Sequence, residues 1–418
     1  MPVAPITRYL AILAVVLFGL GASSSSEGDI DSILVRVATW NIETVGAPGS
    51  TEYEAALDVL NRIGADIVAI NEVASSADAA NLTSLAADAG YASVVVPSSN
   101  PFGADRNAIL TDLPLLSAII NTSADLSGDP AANDISRLMV EVTVDMPGDA
   151  PDLTVVSSHW KSGTGNDDEF RRVVESRRMA QAVADLDPLF DAYILLGDIN
   201  EEADNVPQTP NPMVSEPSGL PGSFKLGSDL EALLVSGGLV NDPFTNLSAA
   251  QVSTVPAVQL DGRDATRPAS GRRLDYIFVS PVIAAGGVLA EVYDSSVEGL
   301  FGGLSKSGDV LPAGTSAAAS DHLLVFADIE LTPPCGNGRV DSAEQCDDGP
   351  DNGSSSSCCR ADCTFKPDGA GSCDGNLCTR TDSCLSGVCS PGSCETGSAC
   401  SICGGTCEDG TGLCECQY

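Results

Sequence analysis

Cysteine divides this chain in two. Residues 1 to 334 contain none, and all 15 lie between Cys335 and Cys416. A segment so rich in cysteine and so poor in aliphatic side chains has little hydrophobic core to rest on. Residues 335–418 are therefore expected to form a disulfide framework made in an oxidising compartment. The count is odd, so at least one cysteine is free, intermolecular or metal-bound, and spacing alone does not give the pairing. Everything before Cys335 has to fold by burying apolar surface. With 43% hydrophobic residues in 418 positions, there is material for a large core and room for two or three domains.

The N-terminus supports export. Arg8 precedes the apolar run Tyr9 to Ala22, followed by Ser23 to Ser26 and an acidic segment. That order is expected of a signal peptide over residues 1–24, giving a secreted or cell-surface protein. The run is short for a membrane span, and no cysteine follows it to carry a lipid. The formal net charge is −38, from 58 acidic against 20 basic residues, and both halves of the chain are acidic. Such a balance repels polyanions at long range, so nucleic-acid binding would need local arginines, metal ions or salt.

From Ile33 to Leu331 strand-like and helix-like segments alternate. Strands are expected at Ile33 to Thr39, Ala65 to Ile70, Ala92 to Val96, Asn107 to Leu110, Ser136 to Asp145, Leu153 to Ser158, Leu274 to Val279 and Leu323 to Leu331. Helices are expected at Glu52 to Ile63, Ala77 to Ala89, Glu169 to Leu186 and Leu230 to Val235. The pattern is α/β, consistent with two stacked sheets covered by helices. The long helix carries Arg171, Arg172, Arg177 and Arg178 on or near one side, either as a solvated face or as phosphate contacts. The loop Pro207 to Pro221 is too long for a mere connection and is a candidate substrate-facing element.

The polar residues at the strand ends carry the chemistry. Ile194-Leu195-Leu196-Gly197-Asp198-Ile199-Asn200 is an apolar run broken by Gly, Asp and Asn, as a buried strand delivers polar side chains to a sheet's carboxyl edge. Five other runs end similarly: Thr39-Trp40-Asn41, Ile70-Asn71-Glu72, Ser158-His159-Trp160-Lys161, Leu274-Asp275-Tyr276 and Ser320-Asp321-His322. Asn41, Glu72, Asp198 and Asp321 are hard oxygen donors of the kind Mg²⁺ or Mn²⁺ prefers. The chain has two histidines, His159 and His322, and both stand at these ends. Trp40 and Trp160 flank the same motifs and are explained by core packing.

Six motifs in this order resemble the endonuclease/exonuclease/phosphatase superfamily: Thr39-Trp40-Asn41-Ile42, Asn71-Glu72-Val73, Ser158-His159-Trp160-Lys161-Ser162, Gly197-Asp198-Ile199-Asn200, Arg273-Leu274-Asp275-Tyr276-Ile277 and Ser320-Asp321-His322. The resemblance implies a domain over residues 31–332, a four-layered sandwich of two stacked mixed β-sheets flanked by helices. It also implies roles. Glu72 would be the principal ligand of Mg²⁺ or Mn²⁺, helped by Asn41 and Asp321. Asp198 would orient or deprotonate the attacking water, with Asn200 holding the water or the phosphate. His322, polarised by Asp275, would contact the scissile phosphate, and His159 would donate a hydrogen bond or proton to it. Arg106, Lys161 and Arg171, with Arg172 and Arg272, could contact substrate phosphates.

The activity implied is hydrolysis of a phosphodiester, with nucleic acid the leading substrate because Arg-Leu-Asp-Tyr resembles the nuclease branches. Glu201-Glu202 after Asn200 departs from the inositol-phosphatase pattern. A phospholipid headgroup or small phosphoester is the alternative, and an inactive surface-binding protein the second. In the tail, Cys335-Gly336-Asn337-Gly338-Arg339-Val340 and Glu344-Gln345-Cys346-Asp347 resemble bacterial cysteine-rich repeats and disintegrin-type modules. Asn337, Glu344 and Asp347 could hold a structural Ca²⁺. A monomer is expected, with the tail free to bind a cell-surface or matrix partner.

Overall fold

A computed structural model describes residues 32–331, apart from 148, 149, 189 and 301. In the tail it describes 335–370 except 337, 339 and 341–343, together with 383–385, 387–390, 406–407 and 414–415. The predicted signal peptide lies outside the described residues.

The chain runs β1 (Ile33–Asn41), α1 (Thr51–Ile63), β2 (Ile67–Val73), α2 (Ser76–Ala89), β3 (Ser93–Val95) and β4 (Arg106–Thr111). Next come β5 (Leu115–Asn121), α3 (Ser123–Ser127), β6 (Met139–Val144), β7 (Leu153–Ser157), α4 (Asn166–Gln181), β8 (Ala192–Asp198), α5 (Ser228–Ser236), α6 (Pro243–Leu247), β9 (Ser253–Thr254) and β10 (Asp275–Val279). It closes with α7 (Pro281–Gly286), β11 (Val288–Tyr293), α8 (Thr315–Ala319) and β12 (Leu324–Leu331). Two six-stranded sheets result, ordered β11-β12-β1-β2-β4-β3 and β5-β6-β7-β8-β10-β9. Each has one parallel pair near its centre, β1 with β2 and β7 with β8, and antiparallel neighbours around it. The expected α/β sandwich of mixed sheets is therefore what the chain forms.

Side-chain alternation explains the layers. In β8, Ala192, Ile194 and Leu196 join Val35, Val37, Ile67, Val140, Val155 and Ile277 in the core between the sheets. Tyr193 and Leu195 face the other way and pack with Met179 and Ala180 of α4. Both faces are covered, which is why the strand reads as an unbroken apolar run. Each such aliphatic side chain, fully buried, contributes about 1.5–3 kcal/mol. On the far side, α1 buries Ala55, Ala56, Val59, Leu60 and Ile63 against the first sheet. Ser50 caps its start, accepting from Tyr53 N, and Gly64 ends it at φ 59°.

Three strands of the two sheets, β5, β9 and β11, lie outside the elements that the sequence pattern predicts, β9 being only two residues long. β5 and β11 are sheet edges, where one side of the strand meets solvent and apolar residues are left outside: Leu116 is 54% and Leu289 66% exposed. The helix expected to reach Leu186 ends at Gln181, and turns follow.

In the tail, disulfides join Cys335 to Cys363, Cys346 to Cys359 and Cys358 to Cys384. Cys346, Cys359 and Cys363 are buried together with Phe365 beside them. Small hairpins pair β13 (Ser383–Leu385) with β14 (Val388–Ser390) and β15 (Thr406–Cys407) with β16 (Cys414–Glu415). Among the described residues no helix is long and apolar enough to cross a membrane.

Candidate active site

Topology brings the six motifs to one rim. β1 and β2 are parallel and in register from Val37 with Ile67 to Asn41 with Asn71, so Asn41 and Glu72 leave the first sheet at the same end. β7 and β8 do the same in the second sheet, delivering His159 and Asp198. β10 runs antiparallel to β8 and begins there, with Asp275 opposite Asp198. β12 runs antiparallel to β1, so Asp321 and His322 enter it from that end too.

Local backbone aims the side chains. The β2–β4 register shifts between Ile70 and Val73, and Glu72 takes φ 64°. This bulge turns its carboxylate out of the strand. Asn200 at φ 51° turns back in the same left-handed way. Gly197 sits at φ 142°, and a Cβ there would lie 1.8 Å from the Ser158 carbonyl oxygen. Only glycine lets β8 pass the His159 loop this closely.

Asp198 is the hub. It is 1% exposed; its Oδ2 accepts from Asn41 Nδ2 at 2.9 Å, and its Oδ1 accepts from the Asn200 amide at 2.9 Å. Its own amide donates to Asn71 Oδ1 at 2.8 Å, and Asn71 donates onward to Asn107 Oδ1. His159 Nε2 lies 3.0 Å from Asn200 Nδ2, 3.6 Å from Asp198 Oδ2 and 3.7 Å from Glu72 Oε1. His322 Nδ1 is 2.8 Å from Asp275 Oδ2. Ligand atoms of Glu72, His159 and Asp198 fall within 4.8 Å of one another, as do those of Asp198, Asp275 and His322. The two clusters share Asp198.

Residues that the sequence left unremarked frame these groups. Ser320 Oγ accepts from the His322 amide and donates to the Asn41 carbonyl. Thr266 Oγ1 accepts from the amides of Leu274 and Asp275, while its carbonyl accepts from Leu323 N. Arg267 grips Asp321 Oδ2 through Nε at 3.0 Å and Nη2 at 2.8 Å, and Arg137 bonds the Trp160 carbonyl and Asp105. Ser320 stood inside a visible motif. Nothing local marks Thr266, Arg137 or Arg267, because their partners are remote in sequence.

The two histidines are set apart electrically. Burial pushes the His159 imidazolium well below its usual range, and the charges of Arg137, His322 and Lys161 add to this, so the ring is neutral. Burial would lower His322 too, but the charge and hydrogen bond of Asp275, with Asp198 and Asp321, outweigh it and lift the group to about 9. Asp198 is pushed up by burial and by Asp275, against the pull of His322. Glu72 is also raised by burial, with the Asn41 amide and Arg137 opposing.

The donor set suits a hard divalent cation. Glu72, Asp198, Asp275 and Asp321 face the His322 imidazolium and Arg267, an excess of carboxylate that a divalent ion would balance. Glu72, Asn41 and Asp321 could hold it. Asn41 Oδ1 accepts from Glu43 N, leaving one carbonyl lone pair, and Asp321 Oδ1 is turned toward His322 at 4.0 Å.

The other candidate residues are placed differently. Arg171 is buried, donating to Ser136 Oγ at 2.8 Å and stacked 5.0 Å from the Phe102 ring. Arg106 is buried with Nη2 3.5 Å from Ser76 Oγ, and Lys161 Nζ pairs with Asp168 at 3.0 Å. These cations are held by protein groups in this structure. The four-arginine side of α4 is not a solvated face: Arg171, Arg172 and Arg178 are all buried. In the tail, Asn337 lies outside the described residues, and Glu344 sits beside the Cys335–Cys363 bridge. Both oxygens of Asp347 are occupied by donors, from Gly336, Gly338 and Gly349 amides and Asn352 Nδ2. That carboxylate pins a loop of the tail.

Stacked mixed sheets with carboxylates and imidazoles gathered where the central parallel strands end define an α/β sandwich with its titratable groups clustered at one rim. The chain belongs to the endonuclease/exonuclease/phosphatase family, whose sequence profile matches residues 38–322 and so encloses Asn41 through His322. Family members are phosphoesterases and nucleases that use divalent metal ions. No curated protein matches the chain. Among solved structures, an endonuclease/exonuclease/phosphatase from Beutenbergia cavernae DSM 12333 is 21% identical over 72% of each chain, with TM-score 0.44. Beta toxin from Staphylococcus aureus is 15% identical over 70% of this chain and 99% of its own, with TM-score 0.41. TDP2 of D. rerio, complexed with single strand DNA product, is 16% identical over 71% of this chain and 98% of its own, with TM-score 0.41.

Proposed function

We propose that this is an exported, divalent-metal-dependent phosphodiesterase acting on nucleic acid. The observation that carries the reading is the shared rim: Glu72 and His159 on one side, Asp275 and His322 on the other, each form with Asp198 a cluster whose ligand atoms lie within 4.8 Å of one another, although the five residues come from five separate segments. Bound at Glu72, Asn41 and Asp321, Mg²⁺ or Mn²⁺ would supply Lewis-acid neutralisation of phosphoryl charge. The remaining chemistry belongs to the side chains. Asp198, with its affinity for protons raised, takes the proton of the attacking water, and Asn200 helps hold that water in line. His322 is kept protonated by Asp275 and opposes the charge growing on the phosphoryl oxygens. His159, neutral, accepts from Asn200 Nδ2 through Nε2 here and would add a hydrogen bond to the same oxygens in the tautomer that carries its proton on Nε2.

Nucleic acid is supported over a small phosphoester by guanidinium groups at the rim. Arg267 and Arg272 stand about a third or more exposed on either side of a tight turn, paired with Asp321 and Glu202. Such pairs are exchangeable for backbone phosphates even on an acidic protein. Export is supported by the tail's disulfides and by the signal-like N-terminal sequence. The test is to incubate purified protein with plasmid DNA, RNA, sphingomyelin and a small phosphodiester, with Mg²⁺ or Mn²⁺ and again with EDTA. Metal-dependent cleavage of DNA or RNA is expected. Cleavage of sphingomyelin alone would move the substrate to phospholipid headgroups, and no cleavage of any of the four would remove the enzymatic reading.

A further inference from the structure

The inward side of α4 carries charge where a helix packed on a sheet should be apolar. Asp168, Arg172 and Glu175 stand at intervals of four and three residues, one stripe of the helix, and all three reach the same neighbour. Asp168 Oδ1 takes the Lys161 ammonium at 3.0 Å, Arg172 Nη1 donates to the Lys161 carbonyl at 3.0 Å, and Glu175 Oε2 accepts from the Lys161 amide at 2.5 Å. Arg172 and Glu175 are 4% and 1% exposed. Arg172 also reaches the loop after β8, where Nε donates to Glu201 Oε2 at 3.0 Å, and Glu201 is itself buried. Lys161 is two residues beyond His159, and Glu201 is the residue after Asn200. One helix stripe therefore holds both loops whose side chains meet at the His159–Asn200 contact of 3.0 Å.

We infer that Asp168, Arg172 and Glu175 are positioning residues that fix His159 against Asn200, and so aim both at the phosphoryl oxygens; this last step rests on the phosphodiesterase reading. Burying these charges is costly unless every partner is in place. Full satisfaction makes the clamp rigid and leaves the two loops a single relative arrangement. Lys161 on this view is held by its own protein and is not a substrate contact. An error of about 1 Å in such an arrangement costs on the order of 100-fold in turnover while leaving substrate affinity largely intact.

The test uses the presence of two histidines in the chain. In protein labelled with ¹⁵N at histidine, the ring signals of His159 are assigned by their loss in His159→Gln. Arg172→Met is expected to shift and broaden the His159 signals and leave those of His322 in place. Its turnover should fall on the order of 10- to 100-fold, with KM changed by no more than about threefold. Arg172→Lys, which keeps the charge, should recover part of that loss. Unchanged His159 signals in a folded Arg172→Met protein, or equal disturbance of both histidines, would overturn the clamp. If Arg172→Met does not fold, Glu201→Gln removes the same ion pair from the loop side and is judged by the same signals. If the wild-type protein cleaves no phosphodiester, the function proposed above fails, while the ring signals still decide whether the clamp exists.

Discussion

At single positions, the strongest constraint is steric. Gly197 combines a positive φ with a Cβ position inside van der Waals contact of the Ser158 carbonyl. Gly197→Ala is expected to cost about 3 kcal/mol or more, read as a lowered denaturant midpoint. Wild-type stability in that variant would mean that β7 and β8 do not approach as described. His322 gives a pH signature. Its folded value of about 9 lies above its ordinary 6.5, so the stability it gains from Asp275 is complete below about 6.5 and disappears as pH rises through about 9. In chelator-treated protein, the stability gap between wild type and His322→Gln should narrow between roughly pH 6 and roughly pH 9.5. A gap that widens over that range contradicts the pairing. Asp198 and His322 were legible in the sequence because an apolar strand ending in Gly-Asp-x-Asn, or one entered directly from Ser-Asp-His, advertises its own boundary. Thr266, Arg137 and Arg267 were not, since each acts through a partner far along the chain.

Among the elements, α4 shows most clearly where periodicity misleads. Its arginines fall where a charged stripe would usually face solvent, yet Arg178 is fully buried between Asp134 and Asp229, with Nη2–Oδ2 and Nη1–Oδ2 distances of 2.5 and 2.7 Å. Whether a helix charge is solvated depends on what other segments bring to it, and Asp134, Glu201 and Asp229 lie on three different ones. Arg178→Met should lower stability by about 3–5 kcal/mol by leaving Asp134 buried without its counter-ion. Arg178→Met with Asp134→Leu should recover much of that loss in urea unfolding; a double variant no better than the single would assign the loss to packing. The strands at the sheet centres were legible from their apolar runs. β5 and β11 were not, because an edge strand with solvent on one side lacks both the continuous run and a clean alternation.

Across the whole chain, two stabilising strategies meet. The sandwich relies on burial and has no cysteine, while the tail is bridged by disulfides closing loops of 13 to 28 residues. A reductant should therefore loosen the tail and leave the thermal unfolding of the sandwich within a few degrees of its untreated value; a shared collapse would show that the sandwich depends on the tail. The cysteine boundary was visible from the sequence, but the pairing needed the structure. The central claim is that strand ends from both sheets form one metal-dependent centre for phosphodiester cleavage. It is tested most directly by the turnover of a small phosphodiester as Mg²⁺ is titrated, in wild type and in Asp198→Ala and His322→Ala. The account requires turnover that rises with Mg²⁺, vanishes with EDTA and falls by on the order of 100-fold or more in each variant. Undiminished turnover in either folded variant, or in the presence of EDTA, would contradict it.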